Sequence, residues 1–134
     1  CEDCFNPDTH DFNGGYDFNG TVVEQILALC DNSSVEGLSI LGGEPLHPAN
    51  IEGTTRLAKA FKERFPSKNI WVWSGFLYDK DLAGKEILHY IDVLVDGTYV
   101  AELHSPKLKW KGSANQRVID VVKSLKENKL IVVE

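Results

Sequence analysis

Along the chain, short apolar runs alternate with longer stretches in which apolar residues recur every three or four positions. A run of about four to eight apolar residues bounded by turn formers reads as a buried strand, and the longer spacing as one face of a helix. On this basis residues 38–41 (Leu-Ser-Ile-Leu), 70–73 (Ile-Trp-Val-Trp) and 91–95 (Ile-Asp-Val-Leu-Val) are strands. Val22, Val23, Ile26, Leu27 and Cys30 mark a helix before the first of them. Thr21 and Glu24 have the spacing of a capping box at its start, and Asn32-Ser33-Ser34 ends it. Ile51, Leu57, Ala58, Phe61 and Phe65 mark a second helix, stopped by Pro66, and a weaker pattern predicts a third over residues 80–90. From Arg117 the pattern is ambiguous. Residues 118–122 read either as a strand or as the opening of a helix to residue 127, with residues 130–133 a last strand.

Strands alternating with helices predict an α/β fold with a parallel sheet. In such sheets ligands gather at the carboxyl ends of the strands, where the loops converge. Gly42-Gly43-Glu44-Pro45 follows the first strand, Ser74-Gly75-Phe76 the second and Asp96-Gly97 the third, so three loops of small residues share one rim. Glycines there admit close backbone approach to a ligand, and Glu44 adds a carboxylate. Residues 5–20 are turn-rich with interleaved aromatics and read as a loop wrapped around something. That loop directly follows the Cys-x-x-Cys of Cys1 and Cys4.

Composition sharpens the picture in three ways. With 134 residues, 43% apolar and 25% charged, the chain fits one domain spanning 1–134. No apolar run approaches the ~20 residues of a membrane span, and no signal peptide is recognisable, so a cytoplasmic location without membrane contact is the default expectation. Net charge is −6, yet residues 1–55 hold ten acids and no Lys or Arg, while seven of the fourteen basic residues fall in 107–129. That basic stretch reads most simply as a solvated face, and otherwise as a docking patch for an acidic partner or a phosphate. An acidic chain with no recognisable nucleic-acid-binding module argues against nucleic acid.

Three cysteines favour metal or redox chemistry over a disulfide framework. Cys30, on the amphipathic pattern, reads as a small buried hydrophobe. A Cys-x-x-Cys alone serves zinc, thioredoxin-like and iron–sulfur sites. His10, His47, His89 and His104 lack zinc-ligand spacing, and a turn-rich loop follows the pair where a thioredoxin-like site has a helix. An iron–sulfur cubane held by three cysteines fits best. A Cys-x-x-Cys at the first residue of a methionine-free chain also predicts that the sequence is cut inside a longer cysteine motif, with the missing piece upstream.

Several stretches resemble, in order, the radical S-adenosylmethionine (SAM) enzymes. These are residues 1–9, from Cys1 to Thr9; residues 41–48, with Gly42-Gly43-Glu44-Pro45; residues 70–75, ending in Ser74-Gly75; residues 93–97; and residues 110–117, Trp-Lys-Gly-Ser-Ala-Asn-Gln-Arg. The last stretch resembles in particular the activases of anaerobic (class III) ribonucleotide reductases, and the resemblance covers nearly the whole chain. It implies a partial (β/α) TIM-like barrel or open parallel sheet, a [4Fe–4S] cluster and SAM. The family pattern is Cys-x3-Cys-x2-Cys, so Cys1 and Cys4 correspond to its second and third ligands; the resemblance implies that the first cysteine and the strand before it are missing, and the chain as it stands is expected to bind the cluster poorly. Asp3, Cys4 and Phe5 would line the adenosyl side. Gly42, Gly43 and Glu44 would meet the SAM amino group, with Ser74 and Gly75 near the ribose or carboxylate. Asp96 reads equally well as a plain turn former, and Asn115, Gln116 and Arg117 would face either the reductase or the SAM end of the rim. Trp71 and Trp73 read as packing residues, and His47 either as a donor supporting the site from behind or, more simply, as a satisfied or exposed histidine. The activity implied is reductive cleavage of SAM to a 5′-deoxyadenosyl radical and formation of a glycyl radical on the reductase large subunit, with a flavodoxin or ferredoxin as electron donor. The alternatives are activation of a pyruvate formate-lyase-type enzyme and a non-catalytic metal or redox docking module.

Overall fold

The computed structural model describes residues 17–133. Helix α1, Gly20–Cys30, opens at Asn19, whose extended backbone (φ −140°) lets its Oδ1 accept the Val22 amide at 3.1 Å. Asn19 is therefore the cap, and Thr21, expected in that role, lies inside the first turn. Val23, Leu27 and Cys30 recur on the buried face of α1. Then follow β1 (Gly37–Ile40), α2 (Ile51–Arg64), β2 (Asn69–Trp73), β3 (Val93–Asp96), β4 (Arg117–Asp120) and α3 (Val121–Glu127).

The strands form one open sheet in the order β1-β2-β3-β4. β1, β2 and β3 run parallel, and β4 runs antiparallel to β3. The expected all-parallel sheet is thus corrected to a mixed one, and the described strands do not close into a barrel. The cause lies in residues 97–116. A parallel return needs a crossover of a dozen or more residues, usually helical, whereas this connection holds only the 3₁₀ turn Ala101–Leu103, and the chain doubles back.

The helix expected over 80–90 is likewise replaced by turns and the 3₁₀ turn Glu86–His89. Asp81 Oδ2 accepts the Leu77 amide at 2.8 Å, and Gly84 adopts φ +80°, a conformation that interrupts a right-handed helix. Leu82, Ile87 and Leu88 are nonetheless buried, which is the origin of the helical-looking pattern. At the carboxyl end both readings hold in succession. Asp120 closes β4 and caps α3, its Oδ1 accepting the Lys123 amide at 2.9 Å. Residues 130–133 join β4 only through the Ile119–Val132 bridge, with Asp120 N donating to Ile131 O and Val133 N to Val118 O.

One face of the sheet carries the core. Ile40, Val72, Leu94 and Ile119 stand in register across all four strands, and Val23, Leu27, Leu57, Ala58 and Phe61 from α1 and α2 belong to the same buried cluster. β1, expected to be buried, is only half-buried: it is the outermost strand of the described sheet, with Ser39 exposed. The opposite face carries Trp71 and Trp73, half-buried, with ring centroids 5.8 Å apart. Trp110 meets Trp71 edge-on at 5.3 Å and accepts the Trp73 indole N–H on its carbonyl at 2.7 Å. These contacts hold Trp110 at φ +67°, a conformation a bulky side chain rarely adopts.

Candidate functional site

The loops after β1, β2 and β3 meet at the carboxyl end of the sheet. After β1 the chain turns through Gly42 and Gly43 at φ +93° and +58°, left-handed conformations that carry no steric penalty in glycine. Among the described residues no atom lies within 4 Å of where a Gly42 side chain would start, so this backbone borders space that they leave open. A cleft of about 550 Å³ opens beside it, lined by Phe18, Leu41, Gly42, Pro45, Gly53 and Arg56 among others. Helix α2 holds the turn from beneath. Asn50 Nδ2 donates to Glu44 O at 2.9 Å and Thr54 Oγ1 to Pro45 O at 2.8 Å. Asn50 precedes α2, but its side chain makes no cap bond to its own helix, because its amide is committed to the turn. Sequence reasoning missed Asn50 and Thr54; an Asn at a helix start signals a cap and not a brace for the preceding turn.

Glu44 joins two loops. Its Oε2 accepts the Ser74 hydroxyl at 2.8 Å and the Leu46 amide at 3.0 Å, and its Oε1 accepts the Gly75 amide at 2.6 Å. Ser74 is buried, and its hydroxyl also accepts the Phe76 amide at 3.1 Å. The structure therefore brings Gly42, Gly43, Glu44, Ser74 and Gly75 together, as the sequence indicated. What it adds is that the donors of Ser74 and Gly75 are turned on Glu44. His47 closes the following turn, its Nδ1 accepting the Ala49 amide at 2.9 Å.

The third loop is built around Asp96, which is fully buried. Its carboxylate takes Arg117 Nε at 3.0 Å, Arg117 Nη2 at 2.6 Å and the Tyr78 amide at 2.8 Å. Asp96 is thus an ion-pair partner rather than only a turn former. Arg117 also reaches Asp79 at 2.9 Å. The hydrogen bond to Asp96 raises the guanidinium pKa further above its already high value, against an opposing desolvation, and the same Arg117 holds the Asp79 carboxyl below its ordinary value. Burial pushes the Tyr78 phenol up.

Gln116 Oε1 accepts the amides of Gly112 and Ser113, and its Nε2 donates to Gly97 O at 2.9 Å. Asn115 Nδ2 donates to Thr98 O at 2.7 Å while its Oδ1 accepts the Ser113 hydroxyl. The side chains of Asn115, Gln116 and Arg117 are therefore committed to fastening residues 110–117 onto the end of β3 and the loop after it. Asp79 and Tyr78 were missed because their roles depend on a chain reversal that has no local signature.

Cys1, Asp3, Cys4 and Phe5 lie outside the described residues. Among the described residues no three His, Cys, Asp or Glu side chains cluster as a metal site, and Cys30 is a free, buried thiol, as its helical position indicated. No helix of the described residues is long and apolar enough to cross a membrane.

Comparison with known proteins bears on the part of the chain that carries the cysteines. Residues 1–119 match the family described as "4Fe-4S single cluster domain". An anaerobic ribonucleoside-triphosphate reductase-activating protein from Enterobacteria phage T4 is 39% identical over 118 residues, covering 88% of this chain and 74% of the relative. Proteins of the same name from Vibrio cholerae and Escherichia coli K12 are 38% identical over 119 residues and 36% over 121, covering 77% and 79% of their own lengths. No solved structure gives a significant match. With identity at this level along most of both chains, the protein belongs to the family of anaerobic ribonucleoside-triphosphate reductase-activating proteins.

Proposed function

We propose that the protein is a radical SAM activase acting on an anaerobic ribonucleotide reductase. The observation that carries this reading is the convergence of Gly42, Gly43 and the doubly anchored Glu44 with Ser74 and Gly75 at one end of a largely parallel sheet. It is supported by the activating-protein name of the relatives and by the iron–sulfur family match.

The rim fits the SAM amino group chemically. An ammonium donates up to three hydrogen bonds, and the backbone carbonyls of Gly42 and Gly43 would supply acceptors beside the open space at Gly42. The Glu44 carboxylate has about four acceptor positions, and donors among the described residues fill three of them, two on Oε2 and one on Oε1. Cys1 and Cys4 would be two of the cluster's thiolate ligands, with Asp3, Cys4 and Phe5 on the adenosyl side. When bound, the cluster and SAM supply one-electron cleavage of a sulfur–carbon bond, yielding a 5′-deoxyadenosyl radical able to take a hydrogen from a glycine of the reductase. The work of this chain's own residues is to bind and orient. Glu44 fixes one end of SAM, and the turn braced by Asn50 and Thr54 keeps the Gly42 and Gly43 carbonyls in place. The electron would come from a flavodoxin- or ferredoxin-type donor.

The test is anaerobic reconstitution of the full-length protein with iron and sulfide, then reduction and electron paramagnetic resonance with and without SAM. A cubane signal whose shape changes on adding SAM is expected, together with a glycyl radical on the reductase when it is present. Cys4→Ala should abolish both the cluster and SAM cleavage. Zinc in place of iron, or SAM cleavage surviving in Cys4→Ala, would overturn the reading.

A further inference from the structure

We infer that Ser74 is a positioning residue that acts on SAM through Glu44 and not by touching it; this rests on the proposal that Glu44 meets the SAM amino group. Two consecutive residues of the loop after β2 grip the two oxygens of one carboxylate. The Ser74 hydroxyl donates to Oε2 at 2.8 Å and the Gly75 amide to Oε1 at 2.6 Å. Donors on both oxygens fix the carboxylate plane as well as its place, because any rotation about the last side-chain bond breaks at least one of them.

Ser74 is buried at 5% exposure, and its hydroxyl has no proton to spare. A hydroxyl has one donor, which goes to Glu44, and it accepts the Phe76 amide in addition. With its donor spent inside the protein, Ser74 cannot also give a hydrogen bond to a ribose or a SAM carboxylate while the grip is intact. The filling of Glu44 follows the same logic. Among the described residues Oε2 carries two donors and Oε1 one, so the grip also biases which oxygen presents an acceptor position to an incoming ammonium. A Cβ on Gly75 would stand 3.3 Å from Glu44 Oε1, tighter than an ordinary contact, so the carboxylate lies close against the loop at this residue.

The experiment is a double-mutant cycle read by equilibrium binding of SAM to the cluster-reconstituted full-length protein. The variants are Ser74→Ala, Glu44→Gln and the two combined, with Ser74→Thr to restore the hydroxyl and thermal unfolding to verify folding. Ser74→Ala should weaken SAM binding roughly tenfold, the scale of one hydrogen bond to a charged group, and Ser74→Thr should recover most of it. In the Glu44→Gln background Ser74→Ala should have no further effect, because the group it positions is already compromised. Full additivity in that background would assign Ser74 a direct contact and overturn the inference, as would unchanged binding in Ser74→Ala. If Glu44→Gln itself leaves SAM binding intact, it is the assignment of Glu44 that fails. Should Ser74→Ala not fold, Ser74→Cys keeps the volume with a poorer donor and carries the same expectation.

Discussion

Replacing Arg117 with methionine strands the Asp96 carboxylate in the interior. Asp96 is 0% exposed and has three donors among the described residues, two of them from Arg117, so the variant leaves it the Tyr78 amide from that set. Methionine keeps much of the aliphatic stem, and the loss is therefore mainly electrostatic. Breaking a buried ion pair from one side typically costs about 3–5 kcal/mol. The Arg117 side chain is 28% exposed and water can reach the gap it leaves, which places the cost at the lower end, about 3 kcal/mol. Losing the bond to Asp79, whose side chain is half exposed, adds less than ~1 kcal/mol. Asp96→Asn removes the charge instead of stranding it and should cost about 1–2 kcal/mol. Combining the two should recover about 2 kcal/mol relative to the sum of the single variants, since an asparagine needs no counter-ion. Urea unfolding of the apo protein, followed by far-ultraviolet circular dichroism under anaerobic conditions, measures all four species. A loss below about 1 kcal/mol in Arg117→Met, or strict additivity of the pair, would refute the argument that this contact fastens β4 and the residue 110–117 segment to β3.

The opening of α1 offers a direct comparison: Asn19→Ala should cost about 1 kcal/mol and Thr21→Ala no more than a few tenths, measured by the same unfolding experiment. A larger loss at Thr21 would reinstate the capping box. For Asp79, Arg117 holds the folded carboxyl below its ordinary value of 3.8, so ionisation is favoured by folding. Its contribution is fully present above that value and fades as pH falls through the lowered one. The stability difference between the native protein and Asp79→Asn should therefore be constant from neutral pH down to about pH 5, shrink as pH falls below the ordinary value of 3.8, and stay under ~1 kcal/mol throughout. A difference that grows as pH falls would contradict the pairing.

The strands, α1 and α2 were legible because burial imposes a period on the side chains. Ile51, Leu57, Ala58 and Phe61 repeat at helical spacing, and Ile70 and Val72 alternate with two tryptophans. The direction of β4 was not legible, since an apolar run reports burial and not polarity. A usable signal existed in the connection before it, where Pro106 and Gly112 interrupt any helical stripe long enough for a crossover. Residues 80–90 misled for the complementary reason: Leu82, Ile87 and Leu88 are buried at helix-like intervals, but Gly84 between them takes a left-handed turn. At the rim, the residue types named the loops that converge. They did not reveal that Glu44 is gripped by Ser74 and Gly75, because a hydrogen bond across 30 residues depends on the parallel pairing of β1 with β2.

The tryptophan face of the sheet has a practical consequence. Trp71, Trp73 and Trp110 are all the tryptophans of the chain, and they touch one another. The intrinsic fluorescence of the protein is therefore dominated by a single spot on the side of the sheet away from the helices. Emission changes on adding the reductase or a redox protein will register contact with that spot, and a partner settling on the helical side will leave the emission nearly silent. Excitation energy also passes readily among three indoles this close, so a quencher reaching the exposed Trp110 will dim all three at once.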